Sequence, residues 1–137
     1  ASGAVSNLVP GVVVWNRGPM GELANRPLDD PRTEVALGDV AKVIRESEGR
    51  FDAILLDVDN GPDALTQRTN GWLYSPSGLS TISRALRPKG ALAVWSVGDE
   101  PTFERRLRMV GFEPSPHFVT AHGKKGKRQV VLVGRRK

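Results

Sequence analysis

The sequence predicts an α/β fold, a mostly parallel three-layer sheet finished by a C-terminal antiparallel hairpin. Three observations carry this expectation. Ala53-Ile54-Leu55-Leu56 and Ala91 to Trp95 are continuous apolar runs of strand length, the pattern of strands covered on both faces. Stretches with apolar residues at helical spacing alternate with them, and strands separated by helices imply right-handed crossovers within a parallel sheet. The last two apolar stretches flank a Gly- and Lys-rich turn, His122 to Arg128, which makes them an antiparallel pair.

Taken in order, Ala1 to Leu8 is short and weakly apolar, at best the end of a strand. Pro10 suits the first turn of a helix, where its missing N–H is no loss, and Val12, Trp15 and Asn16 then recur at helical spacing until Gly18-Pro19. Trp15 is expected in the core. Gly21 to Arg32, with Pro27, Asp29-Asp30 and Pro31, is a loop by its breaker content, with room for a helical turn at Gly21 to Asn25. Thr33 to Leu37 is a strand, and Val40, Val43 and Ile44 mark a short helix with Asp39 as its N-cap. The strand Ala53 to Leu56 comes next, then a loop from Asp63 to Leu73, of the kind that often carries substrate contacts. Ser75-Pro76-Ser77 starts a helix whose face is Leu79, Ile82, Ser83 and Leu86, ended by Arg87-Pro88-Lys89-Gly90. After the strand Ala91 to Trp95, Pro101 opens a helix with Phe103, Leu107 and Val110 inside and Arg105, Arg106 and Arg108 on the wet face. Gly111 stops it, a strand runs to Val119, and Val130 to Val133 closes the chain, with His117 and His122 read as surface residues of the hairpin.

Composition narrows the function classes. The 137 residues fit one domain, 1–137, with 39% hydrophobic and 26% charged residues, ordinary for a water-soluble protein. No apolar run approaches the ~20 residues of a membrane span, so the cytoplasm is the default location. The absence of cysteine removes disulfides, thiolate nucleophiles and cysteine zinc sites, and two histidines offer little for a metal; no metal is expected. The net charge of +5 belongs to the C-terminal stretch, where Lys124, Lys125, Lys127, Arg128, Arg135, Arg136 and Lys137 stand with no acid among them. Such a tip either neutralises phosphates or is a solvated hairpin; no aromatic residues are interleaved to stack bases, which argues against a nucleic-acid partner.

Chemistry is expected where acids follow strands. In open α/β sheets the ligand crevice lies beyond the carboxyl ends of the parallel strands. Asp57, Asp59 and Asn60 follow the strand Ala53 to Leu56, and Asp39 follows Thr33 to Leu37. Each has a plainer reading: an Asx turn for Asp57, Asp59 and Asn60, helix capping for Asp39. Trp72-Leu73-Tyr74 either covers a ligand or anchors a loop.

The order and spacing of several segments resemble the later part of a class I methyltransferase fold, Rossmann-like, and most closely its spermidine-synthase-like branch. They are Leu8-Val9-Pro10 to Trp15-Asn16-Arg17, Asp30-Pro31-Arg32 into Leu37-Gly38-Asp39-Val40, Phe51 to Asp57, Leu73-Tyr74-Ser75, Leu86 to Gly90, and Gly111-Phe112 with the final hairpin. The resemblance implies a transferase that uses S-adenosylmethionine or its decarboxylated form to alkylate a small amine. It assigns Gly38, Asp39 and Val40 to the adenine of the donor and Asn7 to the position whose acid grips the ribose. Asp57 resembles the first acid of the Asp-x-x-Asp motif that holds and deprotonates the amine. The second acid falls on Asn60, so its role passes to Asp59 or Asp63, while Tyr74 matches an aromatic that closes over the substrate.

The family's first strand and Gly-rich loop would precede Leu8, and no G-x-G-x-x-G occurs. The fold is therefore expected to be incomplete at the N-terminus, as a fragment or a form that has lost donor binding. A missing central strand leaves an exposed edge, which makes a homo-oligomer the expected assembly. Two other functions stay open: a catalytically inactive association module of the same fold, and an RNA methyltransferase-like nucleic-acid binder.

Overall fold

The computed structural model describes residues 3–7, 14, 17–56, 71–96, 101–120 and 128–137. It divides into two compact units, Ala1–Glu46 and Ser47–Lys137.

The first unit is built on a parallel pair, β1 (Gly3–Asn7) and β2 (Thr33–Leu37), in a register running from Gly3 opposite Thr33 to Asn7 opposite Leu37. In the described part of the connection Gly18 N–H donates to the Val14 carbonyl at 2.9 Å, and two 3-10 turns follow, Glu22–Ala24 and Pro27–Asp29. The loop expected from Gly21 to Arg32 is thus more ordered than its breakers suggest. Asn25 and Arg26 both take left-handed φ values, and the Arg26 side chain pairs with Glu22 and Asp29 and donates to the Arg17 carbonyl. Trp15 lies outside the described residues. After β2 the chain enters α1 (Val40–Arg45), which turns Ala41 and Ile44 inward and lies against β1.

The second unit holds a four-stranded sheet in the order β3-β4-β6-β5, with β3 (Phe51–Leu56), β4 (Leu86–Ser96), β5 (Phe112–Thr120) and β6 (Arg128–Arg136). β3 and β4 are parallel, and β6 lies antiparallel between β4 and β5. The hairpin therefore closes a mixed sheet by insertion, with β6 as its antiparallel strand. A 3-10 turn, Gly71–Tyr74, leads into α2 (Pro76–Ala85), and α3 (Pro101–Met109) follows β4. One sheet face carries Ile54, Leu56, Leu92, Val94, Val130 and Leu132, all buried with Leu79 and Ile82 of α2 and Phe103 and Leu107 of α3. The other face carries Ala53, Leu55, Ala91, Ala93, Trp95, Val131 and Val133, none of them fully buried.

Two boundaries differ from the sequence reading. Strand pairing begins at Leu86 opposite Phe51 and resumes only at Ala91 opposite Ala53, so Arg87 to Gly90 bulge out of β4 rather than merely ending α2. Pro88 has no N–H to give the ladder and Lys89 is left-handed, so regular pairing is impossible there. β6 extends to Arg136 because the hairpin pairs its polar ends as well as Val130 to Val133.

Candidate functional site

Parallel register brings the first group of candidate residues together. Asn7 ends β1 opposite Leu37, the last residue of β2, so the backbone of Asn7 lies beside the point where Gly38 and Asp39 leave the sheet. Gly38 has φ +143°, a conformation that residues with a Cβ rarely adopt, and among the described residues a Cβ built on it meets nothing within 4 Å. This glycine is set by backbone geometry and leaves its outer side open to close approach. Asp39 is half-buried and caps α1, its Oδ1 accepting from the Ala41 N–H at 2.9 Å. Val40, the first residue of α1, is half-buried beside it. Capping uses one acceptor position of a carboxylate that has about four, so Asp39 can hold a second donor while it caps.

The second group follows β3. Leu56 is buried opposite Val94 of β4, and Asp57, Asp59, Asn60 and Asp63, which come next, lie outside the described residues. Tyr74, in the same unit, turns its ring into the core: it is 3% exposed and meets Phe103 edge-on, centroids 5.7 Å apart. Of the two readings for Trp72-Leu73-Tyr74, loop anchoring describes the buried Leu73 and Tyr74. The Tyr74 carbonyl accepts from the Arg106 guanidinium at 3.3 Å, so Arg106 ties the 3-10 turn to α3 and is more than a wet-face residue. Its place three residues after Phe103 was the signal for this, since i and i+3 share a helix face.

One carboxyl in the first unit is shifted. Asp30 is held below the ordinary carboxylate value, first by side-chain hydrogen bonds from the Arg32 guanidinium at 2.9 and 2.7 Å and then by the Arg32 N–H at 2.8 Å. This exposed pair fixes the turn that feeds β2. Trp95, at the carboxyl end of β4, is 39% exposed, a feature hidden in the sequence because its run reads as uniformly buried.

No model of a known protein family matches the chain. A spermine synthase of Arabidopsis thaliana is 40% identical over 67 residues, 47% of this chain and 17% of that protein. A spermidine synthase solved in complex with the transition-state analogue AdoDATO superposes with a TM-score of 0.77 at 17% identity, covering 99% of this chain and 47% of that one. The 1,6-didemethyltoxoflavin-N1-methyltransferase of Burkholderia thailandensis, solved with S-adenosylhomocysteine, gives 0.63 at 20% identity over 98% of this chain and 60% of that one. The chain has the Rossmann-like methyltransferase fold, and its resemblance to the spermidine-synthase-like branch stands in both local sequence and fold. It spans about half the length of these solved chains and less of the plant relative. Among the described residues no helix is long and apolar enough to cross a membrane.

Proposed function

We propose that residues 1–137 are part of one transferase domain that alkylates a small amine from a nucleoside sulfonium donor, most simply by transferring an aminopropyl group from that donor to a polyamine. The observation that supports this reading is the Gly38–Asp39 step at the carboxyl end of a parallel pair, in a fold shared with spermidine synthases. The donor supplies a carbon made electrophilic by its bond to positive sulfur. Gly38 admits the nucleoside, Asp39 accepts from its amino group, and Asn7 and Val40 flank it. On the acceptor side, Asp57, with Asp59 or Asp63, offers counter-charge to an ammonium and a base for its proton, while Asn60 orients it. Attack by the neutral amine forms the new C–N bond and breaks the C–S bond, and the ammonium proton passes to a carboxylate. Tyr74 anchors the Gly71–Tyr74 turn in the core, against Phe103.

A thermal-shift titration tests donor binding. S-adenosylmethionine, its decarboxylated analogue or methylthioadenosine at ~100 times its Kd is expected to stabilise the chain by about 2.7 kcal/mol. No saturable shift up to millimolar ligand would leave the chain an inactive association module.

A further inference from the structure

β4, an inner strand of the second unit's sheet, changes character along one face. Ala91 and Ala93 are small and half-buried, and the next residue on that face is Trp95. This step from the smallest apolar side chain to the largest belongs to the strand itself and holds whatever lies over the alanines. It falls at the strand's carboxyl end. Leu56, the last residue of β3, pairs in parallel register with Val94, so Trp95 stands where both strands run out, and the crevice of an open α/β sheet lies beyond such ends. Directly opposite Trp95 on β6 is Val131, and His117 of β5 completes the row. An aliphatic side chain thus lies beside the indole, and its row contains no lysine or arginine among the described residues. Arg135, a cation of the same face, is opposite Ala91, four residues back along β4 and roughly 13 Å away. The indole keeps 39% of its residue's surface exposed at this position.

We propose that Trp95 selects the acceptor: its indole face receives the ammonium group that does not react, so the site takes diamines and polyamines and passes over monoamines. This rests on the reading above that the acceptor is a small amine. A diamine that gives up one proton to become a nucleophile keeps a second ammonium, which loses hydration on entering a crevice. Tryptophan offers the best aromatic face for such a cation, and its apolar body takes the methylenes between the two nitrogens. A monoamine brings no second charge, and an amino acid brings a carboxylate that the negative ring face repels. Leucine at this position would keep apolar surface and lose the quadrupole, which separates recognition of charge from burial of hydrocarbon.

Fluorine NMR of the chain labelled with 5-fluorotryptophan, with affinities from titration calorimetry, tests this in the presence of methylthioadenosine. Of the three tryptophans, Trp95 is the resonance absent from Trp95→Phe. 1,4-Diaminobutane is expected to shift that resonance saturably, and butylamine to bind about tenfold more weakly. Trp95→Leu is expected to weaken diamine binding about tenfold and so erase the difference, with butylamine affinity and circular dichroism unchanged, while Trp95→Phe retains part of the preference. A diamine that binds without moving the Trp95 resonance, or keeps its advantage over butylamine in Trp95→Leu, overturns the role of Trp95 and leaves the transferase reading standing. Neither amine binding, while nucleosides still raise the melting temperature, overturns this inference together with the acceptor half of that reading. No response to nucleoside or amine overturns both.

Discussion

At Asp39 one carboxylate caps α1 and is also the group proposed to hold the donor's amino group, and a substitution can separate the two roles. Serine caps nearly as well as aspartate but brings no charge, while alanine forfeits the cap at about 1 kcal/mol. Asp39→Ser is therefore expected to keep the melting temperature of the free chain and lose the ligand-induced shift, whereas Asp39→Ala loses both; unchanged ligand response in the serine variant would remove Asp39 from the site. Asp30 shows a different residue-scale effect. Its carboxyl is more acidic folded than unfolded, chiefly through the Arg32 guanidinium, so the pair stabilises the turn above the ordinary carboxylate range, and that contribution disappears as pH falls through the lowered value. An NMR titration of the Asp30 carboxyl is expected to show the depressed value and only a partial rise toward normal in Arg32→Gln, which keeps the backbone N–H.

At the scale of elements, the junction between the Gly71–Tyr74 turn and α2 has the least tolerance. A Cβ on Gly78 would stand 2.0 Å from the Trp72 carbonyl oxygen, in a place where Ser75 Oγ already donates to that oxygen at 2.6 Å and accepts from the Gly78 N–H at 3.1 Å. The obstacle is backbone, which cannot swing aside. Gly78→Ala is expected to destabilise by at least the 1–3 kcal/mol typical of overpacking, read as a lower urea midpoint. The same junction shows what sequence makes legible. Ser75-Pro76 fixed the start of α2, Asp39 the start of α1, and Thr33 to Leu37 the whole of β2, because caps, prolines and short apolar runs act locally. The extent of β4 and β6 was hidden, since pairing across Arg87 to Gly90 and along the polar ends of the hairpin depends on partner strands distant in sequence.

Across the whole molecule the hydrophobic core is unequally shared. The largest fully buried side chains, from Leu73 and Phe103 to Phe112 and Leu132, all belong to Ser47–Lys137, while the described core of Ala1–Glu46 is Ala41 and Ile44. A segment as short as Ala1–Glu46 is marginal alone by its length, whereas the larger unit buries enough to stand. Residues 47–137 expressed alone are expected to give a dispersed amide spectrum and a cooperative melt, and residues 1–46 alone neither. The candidate residues follow the same division: a strand end pointed to Asp39 and the family resemblance to Asn7, Gly38 and Val40, and the parallel register sets the backbone of Asn7 beside Gly38 and Asp39. Between the two readings open for Tyr74 the sequence could not choose, because its contact with Phe103 in α3 gives no sign in the residues beside it.

The two prolines of β5 also decide how far association can run. Amyloid-like growth needs a sheet that can be extended from both sides, so that each added molecule presents a fresh template to the next. Here the outer edge of β5 is capped, because the imide nitrogens of Pro114 and Pro116 offer it no donors. A sheet blocked on one side cannot hand growth on from molecule to molecule, so two prolines at one edge keep this sheet from serving as the template of a fibre.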